Sequence, residues 1–176
     1  MLDKVALTIR PATGDQHPDL SDIIAAAFET YRGAIPDRAL FKYIANSTNL
    51  GQHKGRGDIM VLESAGRIIG SVTYYPKAGD EGLGLPGAGI RTLVVHPAAR
   101  GCGFGRSLVE HCVERARRQG AATLGLHTAD FMKHAVALYR TIGFQRCPQY
   151  DLRASDILGI DLAGRDIQVT AYQLKL

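Results

Sequence analysis

Apolar and polar side chains alternate over residues 5–10 until Pro11 stops the run, which predicts a first strand. The period then changes. Leu20, Ile23, Ile24, Ala27, Phe28 and Tyr31 recur at helical spacing and predict a helix over 19–31, with Asp19 or Ser21 as its cap. Pro36 and Asp37 open a second, shorter helix whose apolar stripe is Leu40, Phe41 and Ile44, ending before residues 46–51. Two β-rich runs, 58–63 and 67–75, are separated by Ser64, Ala65 and Gly66 and read as a hairpin. Residues 77–89 hold Gly79, Gly82, Gly84, Pro86 and Gly87 and read as a mobile loop.

The second half is more regular. Residues 90–95 (IRTLVV) form a strand rich in β-branched side chains, ended by His96-Pro97. A helix over 104–119 presents apolar residues at 104, 108, 109, 112, 113 and 116, and Gly120 stops it. A strand over 122–128, a helix over 131–142 closed by Gly143, and two final strands over 144–152 and 166–174 complete the pattern. Strand, helix, strand over 90–128 is a βαβ unit, so its two strands should run parallel through a right-handed crossover. With no repeat or linker, the expectation is a single α/β domain over 1–176 with a mixed sheet.

Composition narrows the function classes. An apolar fraction of 45% and a charged fraction of 22% are those of a globular chain and exclude disordered and fibrous classes. Net charge is +4, compatible with an anionic small ligand and too small to argue for nucleic acid. Three cysteines without CxxC spacing fit neither a disulfide framework nor a zinc site and read as reduced thiols. No signal-like segment and no long apolar run occur, so a cytoplasmic chain without membrane association is expected.

The chemistry concentrates in residues 96–106, HPAARGCGFGR, where a strand feeds a helix. Gly101, Gly103 and Gly105 at alternate positions let successive backbone N–H groups face an anion at the positive end of the helix dipole. Arg100 and Arg106 add charge on either side, and their forks suit phosphate oxygens. No Lys-Ser or Lys-Thr follows, which removes a nucleotide P-loop, and Arg106 stands where GxGxxG needs its third glycine. A plain helix start with flexible glycines accounts equally well for the turn taken alone.

Residues 90–144 resemble the GNAT superfamily of N-acetyltransferases. The family signature Q/R-x-x-G-x-G/A reads here Arg100-Gly101-Cys102-Gly103-Phe104-Gly105, and a second mark appears as Ala135, Leu138-Tyr139 and Gly143-Phe144. The resemblance implies a mixed, mostly antiparallel sheet with a central parallel βαβ unit flanked by helices, and acetyl-coenzyme A as cosubstrate. The strand edge at Leu93, Val94 and Val95 would hold the pantetheine arm, and the N–H groups of Gly101, Cys102, Gly103, Phe104, Gly105 and Arg106 the pyrophosphate. Tyr139 would be the general acid for the departing thiolate. A phenol near pKa 10 lies roughly 1.5 units above a thiol, so full transfer costs about 2 kcal/mol.

No acidic residue stands at Gly89, Ile90 or Arg91, where some family members place the base, which leaves Glu63, His96, His127 and Asp130 as candidates by reach. Met132 occupies a position where many members carry a cofactor-contacting asparagine. Cys102 reads as a small filler in the turn, and Arg115, Arg117 and Arg118 as a solvated helix face.

The expected activity is acetyl transfer to a primary amine by direct attack; the alternative is a non-catalytic acyl-coenzyme A sensor of the same fold. A nucleic-acid binder is disfavoured by 7% aromatic content and interleaved acids. The expected partner is a small-molecule or peptide amine acceptor, with a homodimer left open. By the resemblance the acceptor meets residues 30–37 and 153–165, whose mixed charges select no amine class.

Overall fold

In the computed structural model, which describes residues 7–81 and 84–176, an open sheet of eight strands is flanked by helices on both faces. Strands β1 (Leu7–Pro11), β2 (Asp58–Ser64), β3 (Arg67–Tyr75) and β4 (Ala88–Val95) follow one another antiparallel. β5 (Thr123–Ala129) joins β4 in parallel, and β8 (Gln168–Lys175) pairs antiparallel with β5 and with the short β6 (Gln145–Arg146) and β7 (Leu152–Arg153). The one parallel pair is the βαβ unit that the sequence predicts. Val5 and Ala6, read as the start of the first strand, lie outside the described residues.

Strand alternation explains how the layers close. On β2, Met60 and Leu62 point into the core formed with α3 (Phe104–Arg118), whereas Val61 between them packs with α1 (His17–Glu29). The buried stripe of α3 is Leu108, Val109, Cys112, Val113 and Ala116; that of α1 is Leu20, Ile23, Ile24 and Ala27. Each buried Leu or Val contributes roughly 1.5–3 kcal/mol. Helix α4 (Lys133–Ile142) lies beside α3 and buries Tyr139. Among the described residues no helix is long and apolar enough to cross a membrane.

β4 carries the feature on which the site depends. Its residues Arg91 and Val94 oppose Thr73 and Ser71 of β3, so two residues of β4 face one of β3, a bulge centred on Thr92 at φ +52°. The extra residue inverts the alternation. Ile90 joins the α3 core, Val94 two pairs of residues later packs with α1, and Leu93 and Val95 turn toward the α3 side. The bulged strand also bends away from β5: the two are paired at Ala88 with Leu124 and Gly89 with Gly125, and not beyond Gly89.

Four expectations change. The strand expected over 144–152 is broken into β6, a 3₁₀ turn over Pro148–Tyr150, and β7, because Pro148 has no N–H for a ladder and Asp151 draws the chain inward by binding Arg146 and the Ala171 N–H. The connection that follows holds an unforeseen short helix, α5 (Ala154–Leu158), fixed by Asp166, which accepts from the Ser155 N–H and hydroxyl. Phe41, expected in the stripe of α2 (Asp37–Thr48), is 71% exposed, while Tyr43 and Ile44 pack inward. The glycine-rich loop, read as mobile, has an anchored end: Leu85 is buried against Gly125, and the Ala78 N–H donates to the Gly87 carbonyl at 2.6 Å.

Candidate functional site

Where β4 and β5 diverge, a cavity of about 750 Å³ opens between α1 and α2 on one side and α3 and α4 on the other. Leu93, Val94 and Val95 form one wall, and their backbone groups on the β5 side have no strand partner among the described residues. At the far end of β4 lies the turn. A 3₁₀ turn over Pro97–Ala99, capped by His96 Nδ1 accepting from the Ala98 N–H, delivers the chain to Arg100. Gly101 and Gly103 follow at φ +83° and +82°, in the left-handed region that side chains rarely adopt, and Gly103 is the N-cap of α3. A Cβ at either glycine would meet nothing within 4 Å, so the space before the turn is open. The first N–H groups of α3, from Phe104, Gly105 and Arg106, have no carbonyl a turn upstream in the helix, and no acidic residue occupies its first turn.

Every residue from 99 to 106 lines the cavity except Cys102, which is exposed with its thiol turned back toward the Arg100 carbonyl. The two arginines are engaged differently from the phosphate contacts the sequence suggests. Arg100 donates to the Ala27 carbonyl (3.2 Å), the Thr30 hydroxyl (3.3 Å) and the Val95 carbonyl (3.4 Å), tying the turn to the C-terminal end of α1. Arg106 reaches Glu110 at 3.2 Å and the Thr141 hydroxyl at 2.9 Å, tying α3 to α4.

Tyr139 stands on the inner face of α4, buried beside Phe144 at a ring separation of 5.7 Å, and lines the cavity. Burial holds its phenol well above the usual range, and the nearby Tyr31 phenol adds to the effect. Tyr139 is therefore protonated at neutral pH, and its phenol is a weaker acid than a solvent-exposed one. Met132 lines the cavity as well, its sulfur 3.7 Å from the Thr128 hydroxyl.

Of the four candidate proton acceptors, His127 alone lies along the cavity. Its Nε2 is 2.9 Å from the Tyr150 carbonyl, which can only accept, so that nitrogen carries the hydrogen. Glu63 pairs with Arg10 at 2.5 Å on β1 and β2, His96 serves as the cap of its turn, and Asp130 is exposed outside the cavity. His134, in the first turn of α4, lines the cavity and was not singled out by sequence.

The remaining wall takes in Tyr31 and Ile157, from the segments 30–37 and 153–165 that the resemblance gives to the acceptor, together with side chains of α1, α2 and β8 that no motif marks. Phe28 of α1 and Tyr43 of α2 stack at 6.3 Å with ring planes 9° apart, and Tyr31 meets Phe131 edge-on at 5.2 Å. Phe28, Tyr31 and Tyr43 line the cavity together with Ile157 of α5, Val169 of β8 and Arg91 of β4. Nothing in local periodicity separates a core aromatic from one that faces a cavity, which is why Phe28 and Tyr43 carry no site signal in the sequence. Among the described residues no group of three metal-ligating side chains occurs.

The chain belongs to the acetyltransferase (GNAT) family, which it matches over residues 18–144. It is 34% identical over 94 residues to Probable N-acetyltransferase family 8 member 5 of Mus musculus, covering 53% of this chain and 41% of that protein. The chain spans less than half the length of the curated relatives it matches. Among solved structures, a GCN5-related N-acetyltransferase from Rhodopseudomonas palustris aligns over 100% of this chain and 98% of its own with a TM-score of 0.74 at 16% identity. The yncA protein of Salmonella typhimurium, solved with its cofactor acetyl-CoA, aligns over 97% of this chain and 94% of its own with a TM-score of 0.64 at 21% identity. These likenesses establish the fold.

Proposed function

We propose that this chain transfers an acetyl group from acetyl-coenzyme A to a primary amine by direct attack. The observation that carries this reading is the joining, in one cavity, of an open left-handed glycine turn at a helix N-terminus, an unpaired strand edge and a buried protonated phenol. The pyrophosphate suits the N–H groups of residues 101–106, where a side chain at Gly103 would fill the open space. The amides of the pantetheine arm suit the free edge at Leu93, Val94 and Val95, as an added strand would.

A bound acetyl thioester supplies an electrophilic carbonyl and a thiolate leaving group. The chain's residues do the rest. β4 orients the thioester, the walls exclude water, and the Tyr139 hydroxyl donates a hydrogen bond to the departing sulfur, because burial raises its pKa and makes outright transfer of the phenolic proton costlier. One N–C bond forms, one C–S bond breaks, and the proton the amine releases ends on the sulfur, leaving the amide and the free thiol. The guanidinium groups of Arg91 and Arg100 line the cavity and favour the neutral, attacking form of the amine.

The test is thiol release from acetyl-coenzyme A with a panel of amines, comparing wild type with Tyr139→Phe. Amine-dependent release that collapses in the variant supports the mechanism. Coenzyme A binding without release by any amine would favour the sensor reading.

A further inference from the structure

We propose that the acceptor is a monoamine whose body is apolar or aromatic, and that it lies between Phe28, Tyr31 and Tyr43 on one side and Ile157 and Val169 on the other. The inference rests on the transfer reading and names the class of amine that reading leaves open.

The cavity has two chemically distinct ends. At roughly 3.3 Å per residue, Arg91 lies up to about 13 Å along the bulged β4 from Val95, so the Tyr43 end of the aromatic wall, on which Arg91 acts, is set back from the turn, while the Tyr31 end lies near Arg100. That wall is built to keep its shape. The Phe28 and Tyr43 rings stack on each other, Tyr31 is braced by Phe131, and α5, which carries Ile157, is pinned by Asp166 through the Ser155 N–H and hydroxyl. Rigid rings lining open space offer an apolar guest a large contact area at small entropic cost.

Aromatic rings also attract cations, so charge decides between an apolar body and a polycation. Among the described residues the cavity lining includes Arg91, Arg100 and Arg106 and no Asp or Glu. Arg91 acts on the Tyr43 phenol, where the Asp166 carboxylate outside the cavity opposes it, and Arg100 acts on the Tyr31 phenol, each guanidinium working against the upward shift that burial imposes. Both tyrosines of the wall therefore feel a guanidinium, which opposes a second ammonium on the acceptor. A polyamine or a lysine would bring such a charge, whereas an amine with one nitrogen and a hydrocarbon body would not.

The full chain, loaded with acetyl-coenzyme A, is given 2-phenylethylamine, hexylamine, spermidine or L-lysine, and kcat/KM is read from thiol release. In parallel, binding of the same amines to the chain loaded with coenzyme A is measured by calorimetry. Burial of a phenyl or hexyl body should favour the first two by at least tenfold over spermidine and lysine. Ile157→Asp sets a carboxylate in the wall and should reduce that preference at least tenfold, whereas the conservative apolar Ile157→Val should reduce it less. Equal or stronger binding of spermidine in the wild type, or selectivity unchanged in Ile157→Asp, overturns the proposal. Selective binding of the apolar amines without thiol release upholds the class of guest and sinks the transfer reading alone.

Discussion

The two ends of the cavity are made of different materials. The glycine turn is built from backbone: seven consecutive residues, two left-handed glycines and the first N–H groups of one helix. The aromatic wall is built from side chains delivered by α1, α2, β4, α5 and β8, segments more than a hundred residues apart. A backbone site tolerates changes of side chain and fails when the chain path changes; a side-chain site does the reverse. Arg100 joins the two, since it belongs to the turn and holds the last residues of α1.

The strongest challenge to this contrast is at the point where both ends meet. Tyr139→Phe should lower kcat by about 100-fold or more while leaving acetyl-coenzyme A affinity nearly intact, because the hydroxyl acts in the transition state. Unchanged turnover in steady-state assays would leave Tyr139 a packing residue beside Phe144. At the turn, Gly103→Val should weaken coenzyme A binding at least tenfold by calorimetry, as its Cβ enters the open space. Left-handed strain accompanies that change, so Gly120→Val, at φ +74° beyond α3, is the control: it should lose comparable thermal stability and retain affinity.

Arg100→Gln sharpens the comparison. Removing its grip on the Ala27 carbonyl and Thr30 hydroxyl is worth about 1 kcal/mol, so the acceptor KM should rise roughly fivefold, with a smaller change for the coenzyme. A coenzyme effect larger than the acceptor effect would assign Arg100 to the phosphates instead. The smallest expected effect concerns acid. Arg146 beside Asp151, and Arg153 and Ser155 beside Asp166, hold both carboxyls below the usual carboxylate range. A depressed folded-state pKa contributes stability above the ordinary carboxylate value of about 3.9 and loses it as pH falls through the folded value. Between pH 5 and pH 2, amide exchange should therefore quicken in β7, α5 and β8 before it does in α3.

Sequence reading served these regions unequally, for the same physical reason. The turn is local, and glycines between a β-branched strand and a helix with apolar residues at 104, 108, 109, 112 and 113 state its geometry within a short window. Leu93, Val94 and Val95 were legible as a strand, yet not the inversion at Thr92, since nothing in a run of β-branched residues marks where an extra one is inserted. The aromatic wall depends on contacts between distant segments. In a sequence Phe41 looks as apolar as Ile44, and only tertiary packing turns Tyr43 inward and leaves Phe41 in solvent. Residues 144–152 failed because Asp151 binds across to Arg146 and β8, a long-range pull that local β propensity does not express.

Among the described residues, the sheet is held together between β4 and β5 by two residue pairs, Ala88 with Leu124 and Gly89 with Gly125. A guest that inserts beyond Gly89 and bonds to that edge restores part of the missing ladder and binds the native state alone. Mass action then adds about 2.7 kcal/mol at a hundredfold excess over Kd. For a chain of this size that is a rise in Tm of roughly 5–10 °C. The gap in the sheet thus makes melting temperature a direct gauge of occupancy, readable in a simple thermal scan for any compound that enters the wedge, whether or not it reacts.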